Sequence, residues 1–563
     1  MKSLLKPSDY IVFLVYLVIV ASYGWWIYRR KRSAVADTKD YFLAEGSLTW
    51  WAIGASLIAS NISAEQFIGM SGEGYFSGVA VAAYEWIGAV ALIIIAVWFM
   101  PVYLKNKIYT MPQFLKTRYN ETVAVIMTVF WLFLYIFVNL TSILYLGSRA
   151  ISSLAGSEYF HIVLVLLALF ALVITLGGMK VIGYTDVIQV TVLIIGGFVA
   201  VWLALGKVDE VVNHGHSAIN GFKTLMTQAP DHFHMIFKKP TVTSNADYVN
   251  KYVALPGITM YFAGQWIANL NYWGCNQYIT QRALGANLQT ARNGILFAGF
   301  LKIFMPIIVM LPGIAAFILH KNGYFDAETF GGNKDGAYGA ILSLLPVGMK
   351  GLSVAALTAA IVASLAGKAN SISTIFTLDV YKRYFDRVAD ERKLVRVGRI
   401  TILAAMLIAI GCCWEDLLGI AREGGYTFIQ KYTGFISPGV FAMFILGMFW
   451  KRTTGAAAIV GLISGLAIVI LFNNYAPTWF GHETLLYTAY DVGGGVYEIP
   501  FMVNMGWSFV FTVLLMVLVS LAGPKINPKA FAIDSSMFKL KPSTIALITM
   551  ILMMILALYA KFW

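Results

Sequence analysis

Apolar residues in this chain fall in long, nearly unbroken runs separated by short polar connections. A run of about 20 apolar residues has the length needed to cross the hydrocarbon core of a bilayer as a helix. Fourteen such segments can be placed, centred near residues 19, 59, 90, 134, 169, 193, 264, 306, 362, 404, 438, 464, 510 and 552. Helix is the required form, because lipid offers no hydrogen-bond partner to an open backbone. The first run, Tyr10 to Trp26, is longer than a signal-peptide core and lacks a clean small-residue cleavage site, so it reads as an uncleaved span. The pattern predicts an all-α integral membrane protein of about fourteen transmembrane helices. No soluble domain is left over, since the longest connection, about 206–251, is too short to fold alone.

Two runs are interrupted by polar residues. The second span carries Ser60, Asn61, Ser63, Glu65, Gln66 and Gly69 between apolar flanks. The seventh carries Trp266-Ile267-Ala268-Asn269-Leu270-Asn271-Tyr272-Trp273-Gly274-Cys275-Asn276-Gln277, with aromatics interleaved among amides. A helix broken at mid-membrane frees peptide groups to line a polar cavity, as in many ion-coupled carriers. Interruptions five spans apart are what an inverted five-plus-five repeat with two discontinuous helices predicts. The halves share no visible residue-level similarity, so the repeat rests on spacing. The expected organisation is one transmembrane domain, 1–563, with core repeats at about 48–210 and 250–452 and peripheral helices at 8–30, 455–473, 499–522 and 543–562.

Composition agrees: 59% of residues are hydrophobic and 12% charged, with a mean hydropathy of +0.73, against about 25% charged in soluble domains. The net charge of +13 does not signal nucleic acid, because the basic residues are spread over several connections. Taking alternate connections together, one set holds 25 basic residues, including Arg29–Arg32, Arg118, Arg282 and seven between 382 and 399; the other, with both termini, holds 14, and Lys302 and Lys368 lie inside spans. The positive-inside rule then makes the first set cytoplasmic and places both termini outside a cell membrane. Cys275, Cys412 and Cys413 have no ligand or disulfide spacing and read as small apolar fillers. His214 and His216, and His232 and His234, have metal-like spacing without supporting carboxylates and read as solvated loops. An enzyme would need a nucleophile or metal set, and a sensor an appended signalling domain; neither is present, and no protein partner is required.

Chemistry enters through polar residues inside spans: Glu85, Asn139, Asp186, Lys302, Ser364, Lys368 and Gln430. An ionisable group there costs about 2.5–3.5 kcal/mol on insertion scales, so each needs a reason. Asn139 and Ser364 read equally well as satisfied structural groups. Together the set offers acids, lysines, amides and aromatics, which suits a sugar's ring of hydroxyls and its flat C–H face. An amino acid or monocarboxylate would need fewer polar partners and a fixed partner for its carboxylate.

At these positions the chain resembles the sodium/glucose cotransporter family of solute–sodium symporters, most closely its bacterial galactose-carrying branch. The resemblance runs from about Asp40-Tyr41-Phe42-Leu43 to Phe562-Trp563. Its motifs are the segments 60–70, 109–115, 184–189, 276–282, 370–381 and 432–451; residues 206–253 and 473–498 match poorly. It implies sodium-coupled symport of a hexose-like sugar into the cell by alternating access. Gln66, Glu85, Asn269, Lys302 and Gln430 would bind sugar hydroxyls, with Asn61 at the cavity wall. Tyr272 would stack on the pyranose ring and, beside Trp273, block its way inward; Met70, Tyr84 and Tyr426 would close the outer side. Sodium would take the carbonyls of Ala59, Ile62 and Ala360 and the Ser364 hydroxyl, with Asp186 on its inward route. Alternatives are another solute, such as inositol or a sialic acid, coupled to sodium or protons, or a sodium-independent sugar carrier.

Three departures stand out. The ninth span reads Ala363-Ser364 where the family has two hydroxyl residues, and Gly88 stands where it has a serine. Lys368 lies one helical turn beyond Ser364; it either pairs with Asp186 after sodium leaves or snorkels to the cytoplasmic interface.

Overall fold

Each centre chosen from the apolar pattern falls on helical backbone. The structure is a computed structural model that describes residues 5–30, 48–62, 66–241, 244–327, 334–420 and 433–563. In chain order, the helices that matter below are α1 (Pro7–Arg30), α2 (Trp50–Asn61), α3 (Ala83–Ile94), α4 (Phe160–Thr175), α5 (Met179–Asn213), α6 (Gly264–Gly274), α7 (Leu288–Val309), α8 (Met349–Thr374), α9 (Glu391–Trp414), α10 (Ser437–Phe449), α11 (Gly455–Ile470), α12 (Phe501–Leu521) and α13 (Pro542–Phe562). Among the described residues ten helices are long and apolar enough to cross a membrane; α4 and α10 are shorter apolar helices. The centres near 59 and 264 fall on α2 and α6, of 12 and 11 residues. β-structure among the described residues is a two-strand hairpin, Tyr490–Asp491 with Tyr497–Glu498.

The helices also expose large apolar side chains: Val129, Phe133, Leu166, Leu518, Met553 and Leu556 are each more than half exposed. A water-soluble surface does not carry apolar area on this scale. A lipid-facing one does.

The chain divides into two compact units. One comprises residues 1–82, 128–233 and 281–429; the other comprises 83–127, 234–280 and 430–563. Each draws on both predicted repeat segments.

In the first unit α8 is the central element, packed by α1, α2, α4, α5 and α9. Small residues let its neighbours approach closely. A Cβ on Gly54 of α2 would stand 2.8 Å from the Gly294 carbonyl of α7, and one on Gly294 would stand 2.9 Å from the Trp50 carbonyl. Asp9, buried near the start of α1, accepts from the Gly348 and Gly351 amides at 2.6 and 3.0 Å, so an acidic side chain satisfies the first amides of α8.

In the second unit α6 packs on α3, α10 and α12, and α10 on α11. Arg118 donates to the carbonyls of Gly447, Thr453 and Trp450. It is fully buried, so this residue, counted above among loop charges, ties down the end of α10.

Candidate ion and solute site

The first predicted interruption is present. Helix α2 stops at Asn61, and Ile62 adopts an extended conformation (φ −82°, ψ 111°) while its amide still donates to Ile58. Ser and Asn side chains compete with the backbone for hydrogen bonds, which makes Ser60-Asn61 a natural place to stop a helix. Helical backbone resumes in the π-helical turn Gln66–Met70. Ending a helix leaves carbonyls of its last turn without intrahelical donors. Helix α8 reaches that end: the Ser364 hydroxyl donates toward the Ser60 carbonyl at 3.0 Å and lies 3.5 Å from that of Ile62.

Of the predicted sodium ligands, Ala59 and Ile62 thus stand at the broken end of α2, and Ala360 and Ser364 stand one turn apart on α8. All four are buried. The Ser60 carbonyl is an acceptor that the sequence reading had not assigned. The Ser60 hydroxyl and Asp186 Oδ1 are buried and have no hydrogen-bond partner among the described residues. Neutral carbonyls, a hydroxyl and one nearby acid are the hard oxygen donors that suit an alkali cation.

Asp186, on α5, belongs to a buried network. Ser56 of α2 donates to Asp186 Oδ2 at 2.5 Å and accepts from Arg282 Nε at 2.7 Å. Arg282 Nη2 lies 3.8 Å from Asp186 Oδ2, with both side chains fully buried. A Cβ on Gly367 would collide with the Arg282 guanidinium and stand 3.3 Å from the Ser60 hydroxyl, so this glycine makes room for the network.

Arg282 overturns one expectation: counted as a loop charge, it is buried and lies beside Asp186. Lys368 donates to Asn139 Oδ1. The expectation that Lys368 snorkels to the interface fails, because the residue is 3% exposed.

The second predicted interruption is displaced. Trp266 to Gly274 lie within intact α6; the helix breaks before it at Ala263 (φ −95°, ψ −103°) and after it at Cys275. Asn269 and Asn271, which looked disruptive, find partners for their amide groups with the helix intact. Asn269 donates to the Gln265 carbonyl at 2.9 Å, Gln265 to that of Ala83 at 3.2 Å, and Asn271 to the Ser437 hydroxyl at 3.0 Å.

In the first unit, α7, carrying buried Lys302, packs against α2, with Asn61, and against the turn holding Gln66 and Met70. In the second, α3, carrying Tyr84 and buried Glu85, packs on α6, with Asn269, Tyr272 and Trp273. The Tyr272 and Tyr278 hydroxyls are hydrogen-bonded, and the Tyr272 and Trp273 rings meet edge to face at 5.2 Å. Gln430 and Tyr426 lie outside the described residues.

Among the described residues no three His, Cys, Asp or Glu gather to hold a metal ion. His214 and His216 are exposed, but His232 is buried and donates from Nε2 to the Tyr75 carbonyl at 3.0 Å, so the solvated reading fails for it.

The sodium:solute symporter family model matches residues 41–465. The chain belongs to that family. It is 42% identical to a sodium/glucose cotransporter of Vibrio parahaemolyticus, over 99% of this chain and 98% of that one. It is 34% identical to mouse sodium/myo-inositol cotransporter 2 over 82% of this chain and 69% of that one. In fold it is similar to a sodium-coupled sialic acid symporter solved substrate-bound and outward-open: TM-score 0.75 at 20% identity, covering 93% of this chain and 99% of that one. This family member is a multi-pass membrane transporter.

Proposed function

We propose that this symporter carries a hexose-like sugar into the cell, driven by sodium. The observation that carries the reading is the broken end of α2, where a hydroxyl of α8 meets the Ser60 and Ile62 carbonyls. It stands in a chain similar from end to end to a protein named sodium/glucose cotransporter. Sodium takes the carbonyls of Ala59, Ile62 and Ala360 and the Ser364 hydroxyl, and leaves past Asp186. Asn61, Gln66, Glu85, Asn269, Lys302 and Gln430 serve the sugar hydroxyls. Tyr272 and Trp273 close the inner side, and Met70, Tyr84 and Tyr426 the outer.

An ion that holds the carbonyls at the end of α2 also positions the helical turn Gln66–Met70 that follows. Ion and sugar then raise each other's affinity, which is coupling in the thermodynamic sense. One charge crossing 100 mV supplies about 2.3 kcal/mol, roughly a fifty-fold concentration ratio. One sodium is enough for useful accumulation.

The same reading takes the protein as a cell-membrane protein with fourteen crossing helices, both termini outside and an inverted repeat over about 48–210 and 250–452. Inositol is the second candidate solute, supported by the 34% identity to the inositol cotransporter. Equilibrium binding of radiolabelled galactose, glucose and myo-inositol to purified protein, with sodium or with choline, tests the reading. Sodium should raise hexose affinity severalfold. Binding of inositol alone would replace the sugar, and hexose binding indifferent to sodium would remove the coupling.

A further inference from the structure

Lys368 is a buried cation that the solute and ion assignments do not use. It sits four residues past Ser364 on α8, hence on the same face and about one 5.4 Å turn along the axis. Its ammonium donates to Asn139 Oδ1. Asn139 is itself anchored, donating from Nδ2 to the Leu134 carbonyl at 3.3 Å within the π-helical turn Leu134–Leu140. The lysine is therefore held in place beside the ion cradle.

The cradle next to it is lean. Position 363 is alanine, so α8 offers the single hydroxyl of Ser364 at this pair of positions. A missing oxygen and a neighbouring ammonium act with the same sign: both disfavour a bound cation. A mid-membrane cation is kept only where it does something.

We propose that Lys368 is a fixed positive charge that sets the sodium affinity of the cradle, holding it low so that the ion is released readily inside. The inference rests on the sodium assignment above. Repulsion of about 1.4 kcal/mol from such a charge raises the sodium dissociation constant about tenfold.

The test is the sodium dependence of hexose uptake by reconstituted full-length protein at fixed pH, together with direct binding of radioactive sodium. Lys368→Met removes the charge, Lys368→Gln removes it while keeping a donor for Asn139, and Lys368→Arg keeps it. The half-saturating sodium concentration should fall about tenfold in the Met and Gln proteins and stay within about twofold of the parent in the Arg protein. Loss of a merely structural contact would weaken sodium binding, not tighten it. Unchanged or weaker sodium binding in both neutral variants, with the parent still sodium-dependent, overturns the role of Lys368 alone. A parent whose uptake ignores sodium overturns the sodium assignment, and this inference with it.

Discussion

The Ser364 hydroxyl points its proton at the Ser60 carbonyl, 3.0 Å away. The oxygen that α8 would offer to a cation thus closes the gap left by the broken end of α2. To coordinate sodium the hydroxyl turns its proton elsewhere and presents a lone pair, exchanging a hydrogen bond of about 1 kcal/mol for an ion–oxygen contact. Ser364→Ala should raise the half-saturating sodium concentration at least tenfold, and Ala363→Ser should lower it. Sodium titration of hexose uptake reads both.

The Asp186, Ser56 and Arg282 network is a buried ion pair, and removing one member leaves a charge uncompensated. Such single losses cost about 3–5 kcal/mol. Asp186→Asn and Arg282→Gln should each lower the midpoint of thermal unfolding in detergent markedly. The double variant, which buries no charge, should recover part of the loss. An additive double variant would mean that the two do not act as a pair.

Glycine does steric work at two places. Gly367→Val should displace the Arg282 guanidinium and impair sodium-dependent uptake. Gly294→Val should wedge α2 from α7 and lower thermal stability, because its Cβ would stand 2.7 Å from Ile53 Cγ2 and 2.9 Å from the Trp50 carbonyl. The two readouts separate site damage from packing damage.

The Tyr272 ring and its hydroxyl have separable roles. Tyr272→Phe keeps the stacking face and loses the bond to Tyr278, so hexose affinity should fall less than about threefold. Tyr272→Ala should cost tenfold or more. Glu85→Gln, which removes a buried acceptor from α3, should weaken hexose binding more than sodium binding. Binding of labelled sugar at saturating sodium checks all three, and a sodium titration supplies the comparison for Glu85→Gln.

Much of the fold was legible because the bilayer forces it: every apolar run that needs an internally satisfied backbone becomes helix. The break after Asn61 was legible too, since Ser60 and Asn61 prefer helix ends. The second break was misplaced because Asn269 and Asn271 looked disruptive, whereas their amides find the Gln265 carbonyl and the Ser437 hydroxyl. Partners across helices were not legible. Whether Lys368 meets Asp186 or Asn139 depends on how each helix is rotated about its axis, which spacing along one chain does not specify. Arg118 and Arg282 were read as loop charges because arginine near a span end is usually solvated. Their burial depends on backbone carbonyls and an acid supplied from elsewhere in the chain.

Sodium-driven hexose transport is tested most directly by radiolabelled hexose uptake into proteoliposomes with an inward sodium, potassium or proton gradient imposed in turn. Accumulation above the equilibrium level is expected with sodium alone, abolished by collapsing the sodium gradient and strongly reduced in Ser364→Ala. Uptake that is equal under all three gradients, or no hexose uptake under any, would contradict it.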